Sequence, residues 1–322
     1  MLMPRRPGRA YKEITLQQLR SFCETVRLGS LTAAADSLGL ARPTVWKQVH
    51  ALEHHLGVQL VEPHTRGCQA TEAGRSLAEI ASPLVTGIGS IKQVLQSSRS
   101  PRELHLSVAS SSRLLIEDLP PCVVECERRF PHIRLILNEM RADHVEAVVA
   151  SMQADLGLAA IAADPDNPWL HFEPCYQLDV LLVTPRDHPL ARKRRVAVGD
   201  LAAFPLVNSP TSFANKDLAR TLERLGLFQT QPRRVGAQSP AVIRRYVAMG
   251  YGIGLIATSP LHQPDQELHE RSMADDLGRL TVYAIRRKGA IHSEASREFV
   301  AIVQAILGRP RSSAQAHAGS SC

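Results

Sequence analysis

The spacing of apolar residues changes along the chain and divides it into three regions. In the first region, residues 13–71, apolar side chains recur every three or four residues, which is the period of an amphipathic helix. The repeating positions of the first helix are Leu16, Leu19, Phe22 and Val26. Thr15 and Gln18 have the spacing of a capping box, and Gly29 follows the last apolar position. The pattern therefore predicts a helix that begins after Thr15 and ends at Gly29.

Two more helices follow at once. Ser30 is placed to cap an alanine-rich helix over 31–38, and Gly39 ends it. A third helix is predicted over 42–56, closed by Gly57. Short helices joined by a tight glycine turn, with alanines that allow a close crossing, are typical of a helix-turn-helix.

The third helix has two different faces. Its predicted buried stripe is Val45, Val49, Leu52 and Leu56. The opposite face carries Pro43, Lys47, His50 and His54, with Arg42 and Thr44 near the N-terminal end. A DNA major groove admits one helix and places its N-terminal residues against base edges. The alternative is the solvated face of an ordinary three-helix domain.

A short hairpin is predicted after the third helix. Residues 58–61 and 68–70 form its strands, and 63–67 form the tip. Arg66 stands at the end of this tip, where it would reach a phosphate or the minor groove. The hairpin is therefore expected to act as a wing.

The second region, residues 72–98, has the seam of a coiled coil. Its apolar positions alternate steps of four and three: Leu77, Ala81, Leu84, Ile88, Ile91 and Leu95. The pattern predicts a long helix that pairs with another copy, the alternative being one face packed on its own domain. Pro83 predicts a kink or a break near 81–83, since an interior proline costs about 3 kcal/mol.

The third region, residues 101–308, alternates strand and helix patterns. This rhythm predicts an α/β domain with a mostly parallel sheet. The predicted strands are 104–109, 133–137, 155–160, 180–184, 205–208, 235–238 and 280–285. One predicted helix ends at Phe130, and four others cover 144–152, 217–225, 241–249 and 292–307.

About sixty residues of the first region resemble the N-terminal domain of LysR-type transcriptional regulators. The match is carried by SLTAAA, Arg42–Pro43, Ala51–Leu52–Glu53, LGVQL, Arg66–Gly67 and Thr71–Glu72–Ala73–Gly74. Three positions depart from the family pattern: Ala41 and Trp46, where serine is usual, and Val61, where phenylalanine is usual. The resemblance implies a winged helix-turn-helix and a dimer-forming linker helix. The residues expected at DNA are Ser30, Thr32, Arg42, Pro43, Thr44, Lys47, Gln48, His50 and Arg66.

The third region resembles the effector-binding domain of the same family. FPHIRLILNEM, DLGLAA, LLVTPRDHPLA and VAMGYGIGLIATS occur in the family's order. The resemblance implies a periplasmic-binding-protein-like (type 2) fold with two α/β lobes and a cleft. Lobe I is expected over 101–175 and 269–308, and lobe II over 176–268.

Polar loops follow several predicted strands, where ligands bind in open α/β sheets. The expected effector contacts are Ser110, Ser111, Ser112, Arg113, Ala160, Ile161, Asn208, Ser209, Thr211, Gln238 and Ser239. Hydroxyls and free N–H groups at helix starts favour an anion. Any single serine here is more simply explained as a helix cap, but the convergence of three loops favours a small anionic effector.

Composition narrows the function classes. The chain has 322 residues, is 44% hydrophobic and carries a formal net charge of +7, which favours a polyanionic partner. It has no apolar run long enough for a membrane span and no signal sequence at its N-terminus, so a cytoplasmic protein is expected. Residues 1–12 and 309–322 read as flexible tails.

No enzymatic or metal-binding motif stands out. Six cysteines form no CxxC pair, and Cys122 and Cys126 fit small core residues. His50 and His54 share a face without an HExxH motif, and there is no GxSxG or P-loop. The basic run 192–195 is expected to be a solvated loop rather than a second DNA site. We therefore expect no enzyme, no cofactor and no metal.

The sequence thus predicts a LysR-type DNA-binding regulator that is switched by a small molecule and works as a homodimer or homotetramer. Its expected partners are double-stranded operator DNA, the effector and itself, without a membrane. One alternative is a small-molecule-binding protein or enzyme with no regulatory role. Another is an architectural DNA-binding protein with a vestigial cleft. Salt-dependent DNA affinity would exclude the first alternative, and stabilisation of the protein by a ligand would exclude the second.

Overall fold

The structure is a computed structural model that describes residues 14–65, 67–99, 104–213, 215–228 and 235–308, with the backbone alone for 92–99. The chain divides into two compact units. Residues 1–95 and 287–291 form the first, and residues 96–286 and 292–322 form the second. The predicted tails, 1–12 and 309–322, lie outside the described residues.

The three predicted helices of the first unit are confirmed. They are α1 (Leu16–Leu28), α2 (Leu31–Leu38) and α3 (Arg42–Leu56). The capping box is present, since Gln18 N donates to Thr15 Oγ1 at 3.2 Å and Thr15 N donates to Gln18 Oε1 at 2.9 Å. Gly29, Gly39 and Gly57 follow the helices with φ between 63° and 70°, a left-handed conformation that favours glycine. Each of these glycines therefore ends its helix by adopting a left-handed conformation, as the sequence pattern predicted.

The core of this unit is small and aliphatic apart from one ring. Phe22, Ala34, Val45 and Leu52 are fully buried, and the alanines of α2 allow close packing on α1 and α3. The predicted stripe of α3 is wrong at Leu56, which is 37% exposed. Leu56 is the last residue of the helix, where the chain turns at Gly57 and leaves the core.

The hairpin is shorter than predicted. Strand β1 (Val61–His64) pairs antiparallel with β2 (Gly67–Ala70), so residues 58–60 are not strand. Leu60 N and Val61 N instead donate to Glu53 Oε1 of α3 at 2.8 and 3.1 Å. Arg66 lies outside the described residues.

The long predicted helix is one continuous element, α4 (Glu72–Arg99), with Pro83 inside it. The expectation of a break at 81–83 is wrong. Ala78, Ala81 and Ser82 are each 1% exposed, and this burial of one face supports the helix around the proline. Within the residues that the structure covers, no helix is long and apolar enough to cross a membrane.

The second unit is built on a mixed sheet. Its strands are β3 (Leu104–Ser110), β4 (Ile133–Glu139), β5 (Leu156–Ala160), β6 (Leu170–Pro185), β7 (Gly254–Thr258), β8 (Leu268–Ser272) and β9 (Arg279–Arg287). The order is β4-β3-β5-β9-β6-β7, with β8 also paired to β6. The mostly parallel sheet is a wrong prediction: β3 is parallel to β4 and β5, but β5–β9, β6–β7 and β6–β8 are antiparallel.

The largest buried cluster on this sheet contains residues of both lobes, among them Leu106, Leu158, Leu182 and Leu255, and each lobe also has a smaller core of its own. The lobe I core includes Ala109, Val145, Val149 and Ile285, and the lobe II core includes Leu181, Val183, Ile243 and Ile256. The 16-residue strand β6 is long enough to serve both lobes. Because β8 pairs with residues 181–185 of β6, residues 269–272 lie with lobe II, later than the expected return to lobe I.

Helices cover the sheet at nearly the predicted places. They are α5 (Pro120–Arg129), α6 (Val145–Ala150), α7 (Pro189–Arg192), α8 (Lys216–Arg224), α9 (Pro240–Ala248), α10 (Ala274–Leu277) and α11 (Glu294–Leu307). A π-helical segment, Leu114–Asp118, precedes α5. The strands predicted at 205–208 and 235–238 are wrong, since each makes only single bridges, Leu206–Ile253 and Asn208–Ala237.

Candidate DNA-binding surface and effector cleft

The outer face of α3 is exposed along its length. This face, which we call the α3 outer face, consists of Arg42, Pro43, Thr44, Lys47, His50 and His54, all exposed. Ala41 occupies the N-cap position without a side-chain cap, as its sequence requires, and Pro43 fits the first turn, where a missing N–H costs nothing. The surface combines one lysine, one arginine, a hydroxyl and two imidazoles on a convex helix.

Three further predicted DNA residues have different environments. Ser30 caps α2 by accepting a hydrogen bond from Ala33 N at 3.3 Å, and Thr32 is exposed on that helix. Gln48 accepts a hydrogen bond from Ser21 Oγ of α1, so its carbonyl oxygen serves the helix packing. Ser30 and Gln48 thus use their side-chain oxygens in hydrogen bonds within the domain.

Trp46 occupies a position that the periodicity does not explain. Its helical angle places it at the edge of the buried stripe, yet its side chain is 46% exposed. The indole instead stacks on the His50 ring, with centroids 4.0 Å apart and planes tilted by 31°. His50 Nδ1 lies 3.2 Å from Glu53 Oε2. Sequence reasoning marked Trp46 as unusual but missed this stack, although a spacing of four residues places the two rings side by side.

Helix α4 presents an apolar stripe to solvent. Leu84, Ile88 and Ile91 of the predicted seam are 57%, 45% and 47% exposed, and Ile80 is 67% exposed. Ala81 departs from the predicted seam because it is buried within its own unit, and Leu77 is half-buried. The side chain of Leu95 lies outside the described residues.

A cavity of about 780 Å³ opens in the second unit between residues of both lobes. The predicted residues that line it are Ser111, Ser112, Arg113, Ala160, Thr211, Gln238 and Ser239. They come from the loop after β3, the end of β5, and the loops before α8 and α9. The structure therefore brings together most of the predicted effector contacts.

Four predicted effector residues do not line the cavity. Ser110 is fully buried and donates to Leu158 O at 2.7 Å. Asn208 is also fully buried and bonds Leu255 through both its amide nitrogen and its oxygen, at 2.8 and 2.7 Å. Ile161 is part of the lobe I core, and Ser209 Oγ lies 3.1 Å from Thr211 Oγ1. These four side chains therefore contribute to hydrogen bonding and packing within the fold and do not line the cavity.

Four charged residues of the cavity were not predicted from the sequence. Glu139, Arg141, Asp143 and Lys216 all line it. Arg141 contacts Asp143 at 3.1 and 2.9 Å and donates to Gln238 Oε1 at 2.6 Å, which ties lobe I to lobe II. Three of these residues follow or end β4, and the strand-end argument, applied to that strand too, would have found them.

The Arg113 side chain is directed further into the interior of the domain than its sequence position predicts. Its guanidinium makes two bonds to Asp118, at 3.1 and 3.0 Å, and Tyr176 Oη donates to the same carboxylate at 2.7 Å. Burial is the largest single influence and disfavours the Arg113 cation, but the charge and hydrogen bonds of Asp118, together with Tyr176 and Glu117, outweigh it and raise the pKa of Arg113. Burial, with Asp118 adding to it, also raises the pKa of Tyr176 well above its usual value. Arg113 therefore neutralises a buried carboxylate beneath the cavity.

A smaller cavity of about 280 Å³ lies beside a second tie between the lobes. Arg244 of α9 donates to Glu117 Oε1 of the π-helical segment at 3.1 Å. His262 Nε2 lies 2.6 Å from Glu270 Oε2 nearby. Each lobe thus contributes one partner to an ion pair that a relative movement of the lobes would stretch.

Four of the five cysteines of the described residues are buried thiols, and Cys68 is half-buried. Cys122 and Cys126 are fully buried, as the sequence predicted, and no disulfide forms among Cys23, Cys68, Cys122, Cys126 and Cys175. Burial raises the pKa of Cys122 and Cys175 to about 12 and of Cys126 to about 11. Because the thiolate is the reactive form, these side chains are inert near neutral pH. No group of three or more His, Cys, Asp or Glu side chains is arranged to hold a metal ion within the described part of the chain.

Both halves of the chain match models of one family. The model "Bacterial regulatory helix-turn-helix protein, lysR family" matches residues 16–75, and "LysR substrate binding domain" matches residues 99–307. The chain belongs to the LysR family of transcriptional regulators. It is a DNA-binding regulator with an effector-binding domain, and its partners are operator DNA, a small-molecule effector and further copies of itself.

Curated relatives and solved structures agree with this family. The chain is 30% identical over 247 residues to the HTH-type transcriptional regulator CysB of Burkholderia cenocepacia, covering 76% of this chain and 78% of that protein. It is 28% identical over 245 residues to a probable hydrogen peroxide-inducible genes activator of Mycobacterium leprae, covering 76% and 78%.

Solved structures show the same fold. A mutant of Corynebacterium glutamicum OxyR with bound hydrogen peroxide has a TM-score of 0.55 at 23% identity, covering 91% of this chain and 92% of that one. Full-length BenM has a TM-score of 0.54 at 21% identity, covering 91% and 96%. The predicted family, winged helix-turn-helix and two-lobed effector domain are thereby confirmed.

Proposed function

We propose that this LysR-family regulator inserts α3 into the major groove of its operator and that a small anion in the 780 Å³ cavity switches it. The observation that carries the first part is the α3 outer face, which is exposed over all six side chains. A helix that presents Arg42 and Lys47 beside hydroxyl and imidazole groups suits both phosphates and base edges.

The proposed DNA contacts divide by chemistry. Arg42, Thr44 and Lys47 lie in the first half of α3, the part that reaches base edges in helix-turn-helix proteins. Ser30 and Thr32 lie at the start of α2, where backbone N–H groups and hydroxyls suit a phosphate. Pro43, Gln48, His50 and, in the wing, Arg66 complete the proposed surface.

The start of two helices supports an anionic ligand in the cavity. Ser239, the N-cap of α9, makes no side-chain cap bond, and Asn215 and Lys216 begin α8; all three line the cavity. Helix N-termini carry partial positive charge, and the start of α9 has no side-chain cap, whereas Asn215 Oδ1 already accepts from Asp217 N and Leu218 N at the start of α8. Arg141 adds an exposed guanidinium, although Asp143 offsets part of its charge, and Ser111 and Ser112 add hydroxyls, of which Ser112 already donates to Glu139. Arg113 contributes less, because Asp118 already neutralises it.

The switch we propose acts on the ties between the lobes. Arg141 bonds to Gln238 across the cavity, so an anion that takes over this guanidinium changes the contact between the lobes. A ligand shifts an equilibrium only through different affinities for its two states. The exposed stripe of α4 would pair with a second copy, giving the homodimer or homotetramer in which such a shift reaches the DNA.

Two finer statements belong to the same proposal. We propose that the cavity binds its ligand without chemistry, so that the protein is not an enzyme and needs no cofactor. We also propose a cytoplasmic location, because operator DNA lies there. The competing function is a small-molecule-binding protein or enzyme on the α/β body, which would lack salt-dependent DNA affinity.

A thermal-shift screen tests the effector site. Sulfate, phosphate and small carboxylates are added one at a time, and an anion at a hundred times its Kd is expected to stabilise the protein by about 2.7 kcal/mol. Arg141→Ala removes the response if the anion binds in the cavity. An equal response in Arg141→Ala and the parent chain, or stabilisation only by neutral and cationic compounds, contradicts the proposed site. The anion that stabilises the parent chain is then tested for its effect on DNA binding.

A further inference from the structure

Trp46 is a large apolar side chain that the fold of its own domain does not use. The core under α3 is completed by Val45, Val49 and Leu52, which are at most 1% exposed. Trp46 keeps 46% of its surface exposed in the second turn of the same helix. An indole offers a large contact area with little flexibility, and such side chains are favoured where another molecule binds.

His50 contacts this indole, and Glu53 in turn contacts His50. The His50 ring stacks on it at 4.0 Å, and His50 in turn lies 3.2 Å from Glu53. The other Glu53 oxygen accepts hydrogen bonds from Leu60 N and Val61 N. The chain of contacts therefore runs from the backbone at the start of the wing to the indole. Trp46 is fixed before anything binds, which lowers the entropy cost of a contact.

The surface around Trp46 is the proposed DNA surface. Pro43 precedes it by one helical turn, Lys47 is adjacent in sequence, and His50 belongs to the α3 outer face. The apolar group that a major groove offers on its base edges is the C5-methyl of thymine. The exposed part of the indole cannot form the bidentate hydrogen bonds that read guanine or adenine, but it can cover a methyl group.

We propose that Trp46 is a specificity-determining residue that reads a thymine methyl group in the operator, with His50 as its positioning residue. This inference rests on the proposed docking of α3 in the major groove. It assigns a role to a residue outside the predicted set of DNA contacts. It also predicts a preference that polar side chains at this position would lack.

Fluorescence tests whether Trp46 meets DNA at all. The chain has two tryptophans, so Trp169→Phe leaves Trp46 as the single indole. Titration with a duplex from the chain's own upstream region, located by footprinting, is expected to shift and quench the emission and reduce quenching by acrylamide. Unchanged emission under conditions where footprinting shows binding overturns the inference but leaves the proposed function intact. An emission change that follows protein concentration without DNA also overturns it, because it marks a contact between copies.

Removal of the methyl group tests the specificity. Each thymine of the footprint is replaced in turn by uracil, which lacks only the C5-methyl. For the parent chain, one replacement is expected to weaken binding about four-fold, the equivalent of one buried methyl-sized group. Trp46→Ser is expected to bind thymine and uracil duplexes alike, and Trp46→Phe to keep part of the discrimination. Equal discrimination by parent and Trp46→Ser, or none by either, overturns the proposal.

His50→Ala separates positioning from contact. In the single-tryptophan background without DNA, it is expected to lower the fluorescence anisotropy of Trp46 and increase quenching by acrylamide. On DNA, the thymine preference should shrink by less than in Trp46→Ser. Circular dichroism and the Tm check that both variants stay folded. If His50→Ala leaves both the anisotropy and the preference unchanged, His50 is not the positioning residue.

Discussion

The α3 outer face and the cavity of the effector domain differ in how their polar residues are used. On α3, the predicted face is exposed along its length, and its cations point away from the core. In the cavity, the same reasoning selected Ser110 and Asn208, which are fully buried and bonded to backbone. A helical pattern therefore predicts which polar residues are exposed better than a position at the end of a strand does.

The cause of this difference lies in distance along the chain. The two faces of α3 follow from a spacing of three and four residues, and everything needed is within one helix. The cavity combines loops that are far apart in sequence, such as the ends of β3 and β4 and the start of α9. At such a meeting point, each polar group either satisfies a neighbouring backbone group or faces the opening, and local sequence does not distinguish the two.

The largest effect expected from this comparison is on stability, at Arg113. Arg113→Met leaves the fully buried Asp118 with a charge that only Tyr176 still contacts. Loss of one partner of a buried ion pair costs about 3–5 kcal/mol, so the free energy of unfolding should fall by that amount without any effector. Urea denaturation of the full chain measures it.

The matched control is Arg141→Met, whose side chain is 48% exposed. Its free energy of unfolding is expected to stay within about 0.5 kcal/mol of the parent value. If Arg113→Met were as stable as this control and lost only effector binding, Arg113 would be a ligand contact and not a structural cation.

The next effect concerns the α3 outer face. Lys47→Ala is expected to weaken operator binding about ten-fold or more if the lysine meets a base edge, or to lower the salt slope by about one if it meets a phosphate. Arg195→Ala changes an equally exposed cation in the basic run 192–195 and should alter neither affinity nor slope. Fluorescence anisotropy at several salt concentrations measures both. The assignment fails if Lys47→Ala matches the parent chain, or if Arg195→Ala is the weaker binder.

A smaller effect is expected at the ion pair between the lobes. Arg244→Ala removes the 3.1 Å contact with Glu117, in which the two side chains are 16% and 29% exposed, and is expected to lower the free energy of unfolding by about 1 kcal/mol. Arg220→Ala, which removes a 3.7 Å contact with Asp217 inside α8, is the control. Only Arg244→Ala should alter the Tm shift produced by the stabilising anion. Identical shifts in the two variants would show that this tie does not take part in the switch.

The smallest effect is expected from oxidation. Relatives of this chain include a probable hydrogen peroxide-inducible genes activator, but burial raises the pKa of Cys122 and Cys175 to about 12. Hydrogen peroxide at neutral pH should therefore leave operator binding unchanged. The double variant Cys68→Ser/Cys322→Ser is tested in parallel, because Cys68 is only half-buried in the hairpin and Cys322 lies outside the described residues. A loss of binding that a reductant reverses in both chains would contradict the protected state of the buried thiols.

Much of the fold could be predicted because its signals are local. The capping box at Thr15, the glycines after each helix and the alanines of α2 fixed the helix-turn-helix before any tertiary contact was known. The sheet was harder, because strand direction depends on pairing partners: β9 returns from the end of the domain to lie antiparallel beside β5. The segments at Leu206 and Asn208 have the apolar pattern of a strand. They make only single bridges, so they do not form strands.

The site followed the same rule. Ser111 and Ser112 were found because they follow β3, and Gln238 because a strand was predicted beside it, although the structure has only a single bridge there. Arg141 and Lys216 were missed, since charged residues at loop ends are common. The sequence shows that Trp46 departs from the family pattern, but only the structure shows that its indole stacks on His50.

The most direct test of the whole account is operator binding by the purified full-length chain. Binding to its own upstream region is measured at two salt concentrations with nonspecific competitor, with and without the anion found by thermal shift. The account predicts specific binding that weakens steeply as salt rises and changes in affinity or footprint when the anion is added. Absence of specific binding at both salt concentrations, with the cavity still binding its anion, would contradict it.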